Sequence, residues 1–493
     1  MRSQTAAPRR GAPRPGAAGT AVPGPRGPAG SPPSPSKGEA PGGRRAGAVG
    51  PVQPHPAPRP GRFGPLRVQQ LVLVEAAAAA VLAGWALRHH SPAAPGAGGV
   101  VAVLLLAVAV ARVRGLALGD YLRARSAFRA RRRRAAEARP DSGTDPALIP
   151  ALECEPALRI EAHAFERRTA ASARGTAPSR QTPAEHREIG MAGDGTFLSA
   201  VLQVEPRDLP LRPEHGSRPL PLPLLRAALR VDDIVLGSVQ VVQYTRPAPA
   251  PHLPAQALAA RAYQQVPSGP GTPGLRQTWV ALRLDPEQSR AAVEARGGGE
   301  EGARKALQRA ADQLAARLDE AGFRTTVLDA AGVTAAIATA LCPNPLALSG
   351  AHGRAGATAS GGVPTVARRS HESRRAWRCD DRWHTTFWVA RWPQLARPGG
   401  PGRTTAPDLV GLLAGTPALA TVFGLTVREA PAGAPGAAAV SAYVRLAARS
   451  ESELAEFSKQ LEGRAHSVGA GLVRLDMEQV PGVLATLPLG GTR

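Results

Sequence analysis

The sequence predicts a two-helix transmembrane hairpin followed by a cytoplasmic α/β (α+β) domain with a mixed sheet. Three observations predict it: two apolar runs near the N-terminus, arginine blocks on both sides of them, and strand- and helix-period patterns from residue 147 onward. The first run, Val68–Leu87, is 20 residues long with Gln69, Gln70 and Glu75 as its polar members. At ~1.5 Å per residue it spans ~30 Å, the thickness of a bilayer core. The second run, Ala97–Ala111, is uncharged but only 15 residues long. It reaches across only if Arg112 and Arg114 extend their heads to the interface. A signal peptide fits poorly, because 67 residues precede the first run and no small-residue cleavage site stands out.

The charge pattern sets a topology. The chain has 61 Lys and Arg against 38 Asp and Glu, a formal net charge of +23. Only Lys37, Lys305 and Lys459 are lysines, and Ala, Gly and Pro abound, a composition that points to GC-rich codons. Position is therefore more informative than total. Residues 1–66 carry ten basic residues against Glu39 alone, and residues 112–139 carry ten arginines against Asp120 and Glu137. Between the runs stand only Arg88, His89 and His90. The positive-inside rule then puts both termini in the cytoplasm of a two-helix, multi-pass cell-membrane protein. Arg112, Arg114, Arg123, Arg125, Arg129, Arg131, Arg132, Arg133 and Arg134 are the candidate topology and anionic-lipid-headgroup residues. Nucleic acid is not an expected partner, since the basic blocks lack interleaved stacking aromatics beyond Tyr121 and Phe128. Cys154, Cys342 and Cys379 lack CxxC spacing and read as free thiols of a reducing compartment.

In order along the chain, residues 1–66 read as a disordered Pro/Gly/Arg-rich cytoplasmic segment, 67–114 as the two transmembrane helices, and 115–146 as a basic juxtamembrane helix and linker. Residues 147–493 read as the α/β domain, with a mobile loop at about 346–374. Within the domain, strands are expected at Thr196–Val204, Ile234–Tyr244, Gln277–Leu284 and Phe323–Leu328. Helices are expected at Leu220–Leu229, Gln256–Tyr263, Glu301–Ala321, with Leu307, Ala311, Leu314 and Leu318 on one face, and Val333–Leu341. The strand–long helix–strand order suggests α/β or split-βαβ packing. Trp377–Pro393 reads as a strand, Leu409–Leu413 as a helix start, and Ala418–Val427 with Ala437–Ala447 as a strand pair. Ser450–Arg464 is a helix with capping-box spacing to Glu453, and Leu472–Leu475 a closing strand. The element order from Thr385 to Leu475 loosely echoes the earlier half without forming a sequence repeat.

No motif carries clear chemistry. Gly297–Lys305 mimics a phosphate loop, yet its Lys does not follow Gly302 and no Ser or Thr comes next, so a glycine turn before a helix is favoured. Asp232-Asp233 reads as a turn. Cys379-Asp-Asp-Arg-Trp-His384 gathers a thiol, two carboxylates and an imidazole, and four of the six Trp fall within Trp377–Pro393. In a continuous strand Asp380 and Asp381 point to opposite faces, so an Asp–Arg pin with Trp in a core or interface is favoured over a metal or nucleophile site. No cofactor is expected. Trp377, Asp380, Asp381, Arg382, Trp383, Trp388 and Trp392 are the interface candidates, with Glu75, costly in lipid, as an assembly contact.

A resemblance runs through Gly61-Arg-Phe-Gly-Pro-Leu-Arg-Val-Gln-Gln70, Met191-Ala-Gly-Asp-Gly-Thr-Phe-Leu198, Ser238-Val-Gln-Val-Val-Gln243, Trp377–Pro393, Gly471-Leu-Val-Arg-Leu-Asp476 and Val480–Leu489. In these stretches the chain resembles the EccE family of actinobacterial type VII secretion systems, in its Streptomyces-like form. The resemblance implies two N-terminal membrane helices, a cytoplasmic α/β domain and a structural or accessory place in the secretion membrane complex. The implied partners are the EccB, EccC and EccD subunits, with EccC the FtsK-like ATPase, and no family active site is implied. The alternative is a membrane-anchored, glycosyltransferase-like enzyme acting on an envelope precursor through Asp380, Asp381 and His384.

Overall fold

The computed structural model describes residues 54–56, 62–63, 66–110, 112–113, 116–137, 144–167, 185–207, 219–248, 256–258, 261–262, 273–344, 368–395, 404–430 and 438–491. Most of the expected 1–66 segment, residues 345–367 of the expected loop, and most of the expected Gln256–Tyr263 helix lie outside these. Helix α1 is Val68–Ala86 and helix α2 is Ala94–Val110, joined by a short 3-10 turn at Leu87–His89. The second helix begins before the apolar run because Pro95 suits a first helical turn, where its missing N–H is no loss. The two helices cross closely at Gly84 and Gly98, where a Cβ on Gly98 would stand 2.6 Å from the Ala80 carbonyl oxygen. They are apolar outside and small inside. Leu82, Trp85, Val103 and Leu104 are exposed, whereas Ala77, Ala102 and Ala109 are buried. Of the two expected spans, the segment Leu71–His89 is the one among the described residues long and apolar enough to cross a membrane. α2, with 17 residues, is shorter. Helix α3, Leu118–Glu137, follows and carries the arginine block.

The domain begins with helix α4 (Ile149–Cys154), then strands β1 (Arg159–Arg167), β2 (Glu185–Gly193) and β3 (Leu198–Pro206). Helix α5 (Leu222–Ala227) leads to β4 (Ser238–Pro247) and β5 (Pro273–Leu284). Helices α6 (Arg290–Glu294) and α7 (Gly299–Glu320) precede β6 (Phe323–Val327) and α8 (Ala330–Leu341). The second half contains β7 (Ser370–Glu372), β8 (Trp377–Cys379), β9 (Arg382–Arg391), α9 (Ala406–Ala414), β10 (Ala420–Glu429) and β11 (Ala438–Ala448). It closes with α10 (Glu451–Ser467), β12 (Gly471–Arg474) and α11 (Gln479–Ala485). The last residues expected in the 346–374 loop are thus strand β7.

One large sheet runs in the order β7-β8-β9-β11-β10-β4-β5-β3-β2-β1, with β6 beside β3 and β12 beside β9. All of these pairings are antiparallel. A short parallel pairing of Pro54–Pro56 with β11 is added. Within this sheet the same βαββαβ unit occurs twice. β6-β3-β5-β4 and β12-β9-β11-β10 both follow the 4-1-3-2 order of a ferredoxin-like module, in which the first and last crossovers are split by a central strand. The registers match as well. The cross-strand row Ile160–Ala192–Ser199–Arg283–Ser238 in the first half corresponds to Glu372–Trp377–His384–Ala447–Ala420 in the second. The two modules meet edge to edge where β4 pairs with β10.

Side-chain period explains the layers. α7 places Ala303, Ala306, Leu307, Ala310, Leu314 and Leu318 against one face of module one, and α10 places Leu454, Leu461 and Ala465 against the same face of module two. Three left-handed glycines, Gly297, Gly298 and Gly299, make the turn that starts α7, so the phosphate-loop look-alike is backbone punctuation. On the opposite face, α4, α8 and α11 share one cluster with residues of both modules, among them Trp279, Trp377, Ile337 and Val483. α4 ties the two edges of the sheet together, because Glu153 accepts from the Arg369 and Ser370 amides ahead of β7 while the chain runs on into β1.

Candidate functional site

Among the described residues, two places gather polar groups around the residues singled out in the sequence. The first is the interior between α8, α11 and module two. Arg445, on β11, is fully buried with no carboxylate partner among the described residues; its Nε donates to Thr486 Oγ1 at 2.7 Å and its Nη2 to the Ala340 carbonyl. Both acceptors lie at helix C-termini, of α11 and α8, whose unpaired carbonyls carry partial negative charge. Burial lowers the Arg445 guanidinium to about 10. Its Nη1 lies 3.3 Å from Nδ1 of the buried His384. A guanidinium only donates, so Nδ1 accepts and the imidazole proton sits on Nε2. That atom has no hydrogen-bond partner among the described residues. Burial first, then Arg445 and Arg382, hold His384 well below the usual histidine range, so it is neutral. The Trp377 ring tilts over it at 5.0 Å.

All three cysteines face this interior. Burial pushes the thiols of Cys154, Cys342 and Cys379 and the Tyr244 phenol upward, so none is a thiolate poised to react. Asp380 and Asp381 lie in the β8–β9 turn and not within a continuous strand, with Asp380 at φ 54°. The Asp380 carboxylate takes a bidentate pair from Arg369, at 2.9 and 2.7 Å, plus the Asn344 amide. Asp381 turns outward to Arg382, 3.2 Å away. The expected Asp–Arg pin is therefore present, but Arg369 supplies it. The two carboxylates do not converge, and His384 is sealed from both.

The second place is where α3 meets the domain. Arg131 donates from Nε and Nη2 to the two oxygens of buried Glu372, each at 3.2 Å, and from Nη2 to the Met477 carbonyl. Glu372 also accepts the Val480 amide at the start of α11. Arg374 lies 6.0 Å from the Tyr121 ring of α3. Arg123, Arg125, Arg129, Arg132, Arg133 and Arg134 remain exposed on the helix, while the side chains of Arg112 and Arg114 are outside the described set. Of the tryptophans, Trp377 is fully enclosed and offers no surface to a partner. Trp383, Trp388 and Trp392 are half-buried, Trp383 with Arg378 5.7 Å from its ring. Glu75 is exposed on α1.

Arg131, Glu372, Arg369 and Arg445 are the residues whose partners sequence reasoning missed. Only Arg445 left a trace, as a charge inside an otherwise apolar alternation.

Residues 272–389, from β5 into β9, match a family model described as "Putative type VII ESX secretion system translocon, EccE". Over these residues the chain is similar to the EccE family. The matched segment spans the junction of the two modules, including the Trp377–Asp381 turn and the whole of α7 and α8. No curated protein matches the chain.

Proposed function

We propose that this chain is a non-enzymatic subunit that anchors a cytoplasmic docking domain in a type VII secretion membrane complex. In this reading α1 and α2 both span the membrane, and both termini face the cytoplasm. The exposed arginines of α3 lie at the anionic headgroups, and the domain touches the other core subunits, EccB, EccC with its FtsK-like ATPase, and EccD. One observation carries it. The helix pair is apolar outside and small inside, the reverse of a soluble packing, and leads through α3 into a folded domain to which it is clasped. The transferase reading finds no support in the geometry, because Asp380 is saturated by Arg369 and Asn344 and His384 is enclosed.

The half-buried Trp383 and Trp388, with Arg382 and Asp381, are the proposed subunit contact, since Trp and Arg dominate interface energetics. The test is the size and composition of the native complex extracted in mild detergent through a tag on this chain. A large assembly containing the ATPase is expected. The Trp383→Ala, Trp388→Ala double variant is expected to stay folded and membrane-bound while shedding partners, about 2 kcal/mol or more of contact being lost. A particle of monomer or dimer mass from the unsubstituted chain overturns the proposal.

A further inference from the structure

Residues 368–382, at the edge of module two, carry Arg368, Arg369, Arg374, Arg375, Arg378 and Arg382 against Glu372, Asp380 and Asp381. The fold commits each of these acids. Glu372 is held by Arg131, Asp380 by Arg369 and Asp381 by Arg382. Arg375 lies 3.9 Å from Asp476, which Arg474 also holds. Arg368 and Arg378 are left exposed, with no carboxylate partner among the described residues.

The pairing of β7 with β8 turns Ser370, Glu372, Trp377 and Cys379 inward, and His371 and Arg378, directly opposite each other, outward. Arg378 donates from Nε to the Asp380 carbonyl at 2.9 Å and lies 5.7 Å from the Trp383 ring, which fixes it in place. Arg368 donates from Nε to the Ser370 carbonyl at 2.7 Å. Arg132, exposed on α3 and 5.7 Å from the Phe128 ring, follows the Arg131 that clasps Glu372, which brings it to the same hairpin. Burial first, then Arg132, Arg368 and Arg378, hold the His371 imidazole below its usual range, with Glu372 acting the other way. Like charges are thus gathered on one exposed surface, a repulsion that an anion relieves. A carboxylate is satisfied by one guanidinium fork, as Asp380 is by Arg369. Several forks suit a phosphate monoester, with three acceptor oxygens and a charge of about −1.5 to −2.

We propose that the outward face of β7–β8 and the flank of α3 bind a phosphate monoester through Arg132, Arg368 and Arg378, with His371 beside them. The anchoring role needs only α3 at the headgroups, whereas this site draws Arg368 and Arg378 from the domain and is assembled by the Arg131–Glu372 clasp. It stands whether or not the chain joins a secretion complex.

The test uses the full-length chain in two settings. In detergent, inorganic phosphate is titrated in by calorimetry. In phosphatidylcholine nanodiscs carrying phosphatidic acid, a monoester, or phosphatidylglycerol, a diester, native mass spectrometry counts the anionic lipid retained. Binding of inorganic phosphate marks a free ligand, and retention of phosphatidic acid over phosphatidylglycerol marks a lipid headgroup. Either is expected to weaken about tenfold or more in an Arg368→Gln, Arg378→Gln double variant. An Arg159→Gln, Arg290→Gln variant, which removes the same charge from exposed positions of module one, is expected to bind as the unsubstituted chain does. Glu372→Gln is expected to weaken binding although it removes a negative charge, because α3 is released and takes Arg132 with it. The proposal is overturned if the unsubstituted chain binds neither inorganic phosphate nor phosphatidic acid in preference to phosphatidylglycerol. It is equally overturned if the two double variants lose binding alike, or if Glu372→Gln binds more tightly.

Discussion

The two modules of the sheet share their strand order and their cross-strand rows, yet fill those rows with unlike residues. Ala192, Ser199 and Ala281 in module one stand where Trp377, His384 and Arg445 stand in module two. Module one has small side chains at these three positions and carries its own buried arginine, Arg283, paired with Asp285, where module two has Ala447. Module two closes this face with a tilted Trp–His pair and a guanidinium held by two helix ends. The difference teaches that a βαββαβ scaffold needs the period and register of its strands, while the interior beneath is free to differ in polarity where its buried charge is held, as Arg445 is by two helix ends.

Three substitutions or conditions break or sharpen that comparison. The largest effect is expected at Arg445. If module two merely echoed module one, alanine at 445 would be as harmless as Ala281. Instead Arg445→Ala orphans the Ala340 carbonyl, removes the donor to the Thr486 hydroxyl and leaves a cavity, so a loss of about 3–5 kcal/mol is expected in a denaturant titration of the detergent-solubilised chain. An unchanged midpoint would show that the helix ends do not need the guanidinium.

Next comes Glu372, whose row partner in module one is Ile160. Glu372→Gln leaves Arg131 without its carboxylate in a half-buried setting, at an expected cost of about 2–4 kcal/mol. The measurable consequence is faster amide exchange along α3 with the sheet unchanged. Equal protection of α3 in both proteins would show that the clasp does not hold the helix.

The smallest effect is a pH slope. The folded-state pKa of His384 lies well below its ordinary 6.5, so between the two values the unfolded chain binds a proton that the folded one refuses. Stability is therefore full above about pH 6.5 and falls as pH drops, by about 1.4 kcal/mol per unit within that window. His384→Asn is expected to flatten this slope in thermal melts between about pH 5 and 7.5, whereas the equivalent Ser199 already contributes none. A slope that survives the substitution would place its origin elsewhere.

Legibility followed local signal strength. The α7 face of Leu307, Leu314 and Leu318, the Ser450 cap accepting the Glu453 amide, and the β10–β11 pair all appear in the structure where their pattern indicated. β1, β2, α4 and β7 did not read as elements, because Arg159–Arg167 alternates charges with small residues and β7 has only three residues. Ile234–Tyr244, expected as one strand, is divided at Leu236-Gly237, where a small hairpin with Arg230–Val231 ends and β4 begins. The repeat was faint for a physical reason. What is repeated is register, which constrains only the alternation of facing sides, and alternation tolerates Ala for Trp or Ser for His.

By itself the sequence determined the apolar runs, the asymmetry of arginine around them, and the periodicities that make each strong strand and helix, because these depend on neighbours within a few residues. The tertiary structure alone decided that Arg369, and not Arg382, pins Asp380, that Arg131 reaches Glu372 across 241 positions, and that Arg445 is satisfied by helix ends. Each of these joins groups distant in the chain, and a buried charge takes whichever partner the packed backbone brings within hydrogen-bond reach.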